Sequence, residues 1–441
     1  MTTHHMLQPH QKLQTKSGMT CVVQEFLGGG GQGEVYRVSL AHTSMALKWY
    51  FPQFATNAQY QALERLVHKG APDDRFLWPL DLIERSHESE LGYLMPLRDK
   101  RYVDIVDLMK RRVAITFREL ATAGLQLADS YNQLHARGLC YRDISFGNVF
   151  LDPQTGEILI CDNDNVTVNG ETTGGVLGTS RFMAPEIVRH EAHPTARTDL
   201  YSLSVLLFYL FIFHHPLEGQ READIHVLDV HAMDKIYGTE PIFIFDPNNT
   251  TNRPVKGYQD NARVFWPLYP QFLRDIFTRA FTDGLRDPEH GRVRETEWRN
   301  AMVQLRDAIF YCPHCQSQNF YDVTVLKQNN GKPKPCWNCK KEVTLPFRLR
   351  LDNHIVMLNH DTVLYPHHID RKRKWNFSQP VAQVNQHPLN PQMWGLKNLS
   401  NEKWILTKVD GSKQEVEQGR NAPLIAGSKI NFGDGEGEIR Y

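Results

Sequence analysis

The sequence predicts an α+β chain built from several modules. A small β-rich lobe comes first and a larger α-rich lobe second, followed by a four-cysteine metal ribbon and a small all-β sandwich. Three observations carry this reading. Short strands around a glycine cluster give way to long helical patterns. Two C-x-x-C pairs then follow, Cys312/Cys315 and Cys336/Cys339. Beyond residue 345 the chain returns to short strands with glycine turns. At 441 residues it is too long for one ordinary domain.

Residues 1–19 are polar, rich in His and Gln and without periodicity, and are expected to be a flexible leader. Residues 20–26 read as a strand running into the glycines, and 44–50 as a second strand. Residues 58–68 have helical spacing, with Tyr60, Leu63, Leu66 and Val67 on one side. Strands return at 80–84 and 91–97. Helices are expected at 116–135, 198–213, 269–282 and 301–310. The first large module is bounded at 20–308, the ribbon at 309–344 and the sandwich at 345–441. Asp410-Gly411 and Gly433-Asp434-Gly435 mark turns in the sandwich.

Composition excludes several function classes. Lys+Arg and Asp+Glu each number 50, so the formal net charge is zero, and gripping nucleic acid is not the expected task. The basic run from Arg371 to Lys374 reads as a solvated loop. The longest apolar stretch, residues 200–213, reads as a buried core helix and not a membrane span. No basic segment followed by an apolar core opens the chain, so a cytoplasmic protein with no membrane partner is expected. In a reducing compartment the four paired cysteines read as metal ligands. Cys21, Cys140 and Cys161 read as small core residues.

Gly28-Gly29-Gly30-Gly31-Gln32-Gly33-Glu34-Val35 contains G-x-G-x-x-G-x-V. Glycines let a backbone approach phosphates where side chains would clash. A strand with Met45-Ala46-Leu47-Lys48 follows, not a helix, which rejects a dinucleotide-binding fold. Lys48 is placed to neutralise α- and β-phosphate charge, with Glu64 on the next helix as its expected partner. In Tyr141-Arg142-Asp143-Ile144-Ser145-Phe146-Gly147-Asn148, the spacing sets a carboxylate near an attacking hydroxyl and an amide oxygen near a metal. Asp143 is the expected base and Asn148 an expected Mg²⁺ ligand. The strand 158–161 ends in Asp162-Asn163-Asp164, with Asp162 as the second Mg²⁺ ligand. Gly178-Thr179-Ser180-Arg181-Phe182-Met183-Ala184-Pro185-Glu186 completes the series. Glu186 is expected to pair with Arg292, and Asp199 to organise the loop around Asp143.

With these motifs, residues 20–307 resemble a eukaryotic-type Ser/Thr protein kinase. The resemblance implies a bilobal kinase fold, ATP with Mg²⁺ or Mn²⁺ as cofactors, and protein Ser/Thr substrates, with autophosphorylation. It places ATP against Gly28, Gly30, Gly33, Val35, Ala46, Lys48, Glu64, Met95 and Leu97, with Lys48, Asp143, Asn148 and Asp162 as the catalytic set. The chain departs from the pattern at Tyr141 (usually His), Ser145 (often Lys) and Asn163-Asp164 (usually Phe-Gly). The alternative is a nucleotide-binding pseudokinase scaffold.

Cys312, Cys315, Cys336 and Cys339 have the spacing of a structural Cys₄ zinc site, with His314 exposed beside it. Segments 394–400, 409–411 and 425–433 resemble the later strands of a forkhead-associated β-sandwich. The Gly-Arg signature of phosphothreonine binding is not evident around Asn359-His360-Asp361, and no clear S-x-x-H motif is present. Phe243-Ile244-Phe245-Asp246-Pro247 and Asn252-Arg253-Pro254, with this C-terminal pair of modules, resemble bacterial kinases of tellurium-resistance-type phosphorylation triads. That resemblance implies a PP2C-type phosphatase and a von Willebrand factor A-domain protein as partners.

Overall fold

The computed structural model describes residues 5–171, 177–352 and 354–441. The chain divides into two compact units: residues 1–265 with 275–299, and 266–274 with 300–441.

In the first unit, six antiparallel strands form one sheet in the order β1-β2-β3-β4-β6-β5. They are β1 (Lys12–Gln14), β2 (Thr20–Gly29), β3 (Gly33–Leu40), β4 (Thr43–Tyr50), β5 (Asp81–Leu82) and β6 (Gly92–Pro96). Strand alternation splits β4 between two cores. Leu47 and Trp49 join Leu7, Cys21, Val23, Tyr36 and Val38 on one face. Ala46 and Tyr50 join Leu63, Leu77, Tyr93 and Met95 on the other. Lys48 shares the second face.

The expected leader needs correction, because residues 12–14 add β1 to the sheet edge, pairing Lys12 with Val22 and Gln14 with Thr20. Leu7 is buried and Leu13 partly buried against the first core. Two apolar residues among polar ones are too sparse to give a periodic signal.

Helix α1 (Asn57–Lys69) starts where the Thr56 side chain accepts from the Gln59 N–H, and stops at Gly70, whose φ is 71°. Past β7 (Val103–Asp104) and α2 (Ile105–Met109), the longer α3 (Phe117–Ala136) begins with a Thr116/Glu119 capping box. Four short strands then hold the loops that matter: β8 (Leu139–Cys140), β9 (Val149–Leu151), β10 (Ile158–Ile160) and β11 (Thr167–Val168). β10-β9-β7 and β11-β8 are separate small sheets, so residues 141–148 and 161–166 leave the ends of paired strands. Helix α4 (Pro185–Val188) has Pro at its first turn, and α5 (Ala196–Ile212) is almost wholly buried. Among the described residues, no helix is long and apolar enough to cross a membrane.

In the second unit, the helix expected to run to residue 310 stops at Asp307. Ile309 and Phe310 belong instead to β12 (Ile309–Tyr311), which pairs with β13 (Gln318–Phe320). β-branched and aromatic residues suit a strand, and here β13 supplies the partner. The rest of this unit comprises β14 (Arg348–Leu351), β15 (His354–Met357), β16 (Val363–Leu364), β17 (Ala382–His387), β18 (Asn390–Asn398), β19 (Trp404–Thr407), β20 (Lys413–Val416), β21 (Asn421–Pro423), β22 (Lys429–Asn431) and β23 (Glu436–Arg440). They form two sheets, β15-β14-β23-β22-β19-β20 and β16-β17-β18-β21. Leu349, Val384, Leu396, Trp404, Leu406 and Ile439 from both sheets share one core. Gly411 (φ 82°) turns β19 into β20, and Gly433 (φ 103°) precedes β23. The region is not purely β: Pro366–Ile369 forms a short helix, and the basic run starts in the 3₁₀ turn Arg371–Arg373. Pro at the first helical position and the Asp370 carboxylate accepting from the Lys372 N–H favour these turns.

Candidate nucleotide and metal sites

A cavity of about 740 Å³ opens in the first unit. That volume suits a nucleotide-sized ligand. Gly28, Gly30, Gly33, Val35, Ala46, Lys48, Met95 and Leu97 line it, with Asp143 and Asp162. Phe150, Cys161 and Arg98 also line it, which the sequence alone did not indicate. The glycine requirement is sharpest at Gly33, where a Cβ would lie 2.2 Å from the Trp49 carbonyl oxygen.

Residues 141–148 are pinned from below. Asp199 on α5 accepts the Tyr141 N–H at 2.6 Å and the Arg142 N–H at 3.0 Å. His135 on α3 bridges Asp199 and Glu295. Burial opposes the His135 charge, but these carboxylates outweigh it and raise its pKa to about 9. Tyr141 is buried and its hydroxyl donates to the Cys161 carbonyl. Tyr141 thereby ties residues 141–148 to the strand end that carries Asp162. Ser145 is buried and caps no helix with its side chain.

Around Asp143 the geometry is close. Thr179 Oγ1 donates to Asp143 Oδ1 at 2.8 Å. Asn148 Nδ2 donates to the Asp143 carbonyl at 2.9 Å and to its Oδ2 at 3.1 Å. This turns the Asn148 oxygen away as the remaining acceptor. Burial raises the Asp143 pKa, against the hydrogen bonds from Thr179 and Asn148 that lower it. A raised pKa suits a carboxylate that must take a proton and release it.

Lys48 is where expectation and structure part. Its ammonium lies 2.8 Å from Asp164 Oδ2 and 3.5 Å from Asp162 Oδ1. Glu64 pairs instead with Lys16. The reason is helical phase: Gln59, Leu63 and Leu66 turn inward from α1, and Glu64 stands one residue off that face. Burial pushes the Lys48 pKa down, but Asp164 and then Asp162 drive it up further, so Lys48 keeps its charge. Asp162 adopts φ 51° at the start of a short 3₁₀ turn. Asn163 is fully buried and donates to the Ile160 carbonyl at 3.0 Å.

Glu186 and Arg292 form the expected pair, the guanidinium reaching both carboxylate oxygens at 2.6 and 2.7 Å. Thr172 and Thr173 lie outside the described residues.

In the second unit the four cysteines converge, with all sulfurs within 4.8 Å of one another. Cys312 and Cys339 sulfurs are 3.7 Å apart, and Cys315 and Cys336 sulfurs 3.6 Å. Bonds of about 2.3 Å to a tetrahedral ion would set sulfurs about 3.8 Å apart, so the cluster fits such an ion. The two C-x-x-C turns repeat one backbone pattern. The Cys312 N–H donates to Ser317 and the Gln316 N–H to Cys312; the Cys336 N–H donates to Lys341 and the Lys340 N–H to Cys336. Gln316 and Lys340 both have positive φ, at 60° and 63°. His314 is exposed.

Asn359 is buried and donates to the Ile309 carbonyl at 2.7 Å. It is thus a structural tie between β12 and the segment that leads into β16.

Comparison with known proteins gives a family match and several relatives. Residues 21–265 match the family model described as protein kinase domain. The CBL-interacting protein kinase 4 of Oryza sativa subsp. japonica is 32% identical over 206 residues, 42% of this chain and 43% of the relative. Protein kinase gsk3 of Schizosaccharomyces pombe is 27% identical over 203 residues, 41% of this chain and 51% of the relative. The DNA damage-responsive serine/threonine-protein kinase RqkA of Deinococcus radiodurans is 28% identical over 226 residues, 48% of this chain and 32% of the relative. The chain thus spans about half or less of the length of these curated relatives.

Proposed function

This chain belongs to the protein kinase domain family, and on that premise we propose that it transfers the γ-phosphate of ATP to Ser or Thr of protein substrates, itself included. One observation carries the reading: Lys48, Asp143 and Asp162 line a single cavity under the glycine hairpin, with Asn148 and Thr179 hydrogen-bonded to Asp143.

Asp143 orients the substrate hydroxyl and takes its proton as the oxygen attacks the γ-phosphorus. The bond to the β–γ bridging oxygen breaks and ADP leaves. Lys48 holds phosphate charge by its ammonium, and backbone N–H groups of residues 28–33 cover the phosphates. Asn148 and Asp162 would hold Mg²⁺, which when bound neutralises charge building on the phosphate oxygens. Tyr141 and Asp199 keep the loop in register.

The four cysteines would hold a structural Zn²⁺, since four thiolates leave no open position. The sandwich, forkhead-associated-like in its later strands, serves structure or partner recruitment. Only the resemblance to triad kinases supports a PP2C-type phosphatase and a von Willebrand factor A-domain protein as partners.

The test is purified full chain with radiolabelled ATP and Mg²⁺, followed by phosphosite mapping. Label on Ser or Thr, lost without Mg²⁺, is the expected result. ATP binding with no transfer to itself or to any added protein would favour a scaffold.

A further inference from the structure

We propose that Asp164, not a carboxylate on helix α1, is the residue that positions Lys48 for nucleotide phosphate. The proposal rests on the kinase reading above.

Lys48 and Tyr50 are two residues apart on β4, so both point to the same face. Both meet Asp164. The Lys48 ammonium sits 2.8 Å from Asp164 Oδ2, and the Tyr50 hydroxyl donates to the same oxygen. The Asp164 side chain is 0% exposed. A carboxylate so buried is held only with a counter-charge and donors in place. Gln59 on α1 closes the cluster, donating to the Asp164 carbonyl at 3.2 Å and to the Tyr50 hydroxyl at 3.3 Å.

Asp162 is different. Its side chain is 47% exposed, lines the cavity, and stands 3.5 Å from Lys48. Two acids two residues apart thereby divide the work. Asp164 balances and fixes the lysine, and Asp162 keeps an oxygen turned to the cleft for a cation. Glu64 is engaged with Lys16. The ionic tie of Lys48 therefore runs to the 162–164 segment, and among the described residues the polar contribution of α1 to the cluster is the neutral amide of Gln59. Asp164 is a positioning residue: it acts on phosphate through Lys48.

The experiment compares Asp164→Asn, Tyr50→Phe and Glu64→Gln in the full chain, with Lys48→Ala as control. Phosphoryl transfer and Mg²⁺-ATP affinity are measured together with the acetylation rate of Lys48 by acetic anhydride, followed by mass spectrometry across pH 7–10. Asp164→Asn should lower kcat by about a hundredfold and raise Lys48 acetylation at pH 8 by roughly tenfold or more, because an ammonium without its counter-charge deprotonates more readily. A merely structural role would not move the labelling profile in a folded variant. Tyr50→Phe should shift both readouts in the same direction by less, and it carries the test if Asp164→Asn does not fold. Glu64→Gln should leave both within about twofold of wild type. Loss of activity and faster labelling in Glu64→Gln, with Asp164→Asn unchanged, would overturn the proposal. If wild type neither binds nor transfers phosphate, the kinase reading fails instead, and the labelling comparison still decides what holds Lys48.

Discussion

Removing the Glu186 carboxylate should destabilise the first unit sharply. Arg292 is 4% exposed at its side chain and Glu186 13%, with both carboxylate oxygens within 2.7 Å of one guanidinium nitrogen. Arg292 also donates to the Arg197 carbonyl at 2.8 Å and lies over the Tyr201 ring. Glu186→Ala leaves a buried guanidinium without its counter-charge, a change that costs about 3–5 kcal/mol. Glu186→Gln keeps a neutral acceptor and should cost less, about 2 kcal/mol. For a unit of this size each kcal/mol moves the melting temperature by about 2 °C, so the Ala variant should melt roughly 6–10 °C lower. The assay is thermal unfolding of wild type, Glu186→Ala, Arg292→Met and the double variant. Arg292→Met removes the charge and keeps an apolar stem beside Tyr201, so the double variant should recover much of the loss. Strict additivity, with a coupling energy below about 0.5 kcal/mol, would refute the claim that this pair anchors the A-P-E segment.

Three further outcomes follow from the same geometry. Protein purified without chelator should carry one zinc per chain, and Cys336→Ser should lose it while keeping ATP affinity, because none of the four cysteines lines the nucleotide cavity; metal analysis beside ATP titration checks both. His135 has its pKa raised from an ordinary 6.5 to about 9, so its contribution is fully present below pH 6.5 and is lost as pH rises through about 9. The stability difference between wild type and His135→Gln should therefore shrink by up to about 3 kcal/mol between pH 6.5 and 10, read by urea denaturation. Arg142 Nε is buried with no partner among the described residues, which suits a phosphate on segment 166–180. Phosphosite mapping of active protein should find Thr167, Thr172, Thr173 or Ser180 modified; an unmodified active protein would count against phospho-activation.

Much of this was legible in the sequence because the chemistry sits in contiguous motifs. Asp143 and Asn148 meet within their motif, and the two C-x-x-C turns converge. Lys48's partner was not legible in the same way. Helical periodicity pointed to Glu64, but α1 is phased so that Gln59 and Leu63 face inward. The usable signal was period two on β4: Tyr50 shares the Lys48 face and so asks for a buried acceptor. β1 gives no sequence signal because Leu7 and Leu13 stand among mostly polar residues, and their burial depends on the sheet they cover. Ile309 and Phe310 look like a helix continuation in sequence because a strand that short is defined by its partner β13, which local pattern does not reveal.

The central claim is tested most directly by Asp143→Asn. The change keeps the side-chain size, an acceptor oxygen for the Thr179 hydroxyl and the backbone carbonyl that accepts from Asn148 Nδ2, but removes the base. With radiolabelled ATP and Mg²⁺, wild type should label itself. The variant should bind ATP with near wild-type affinity and transfer phosphate at least about a hundredfold more slowly. Equal labelling of variant and wild type would contradict the account.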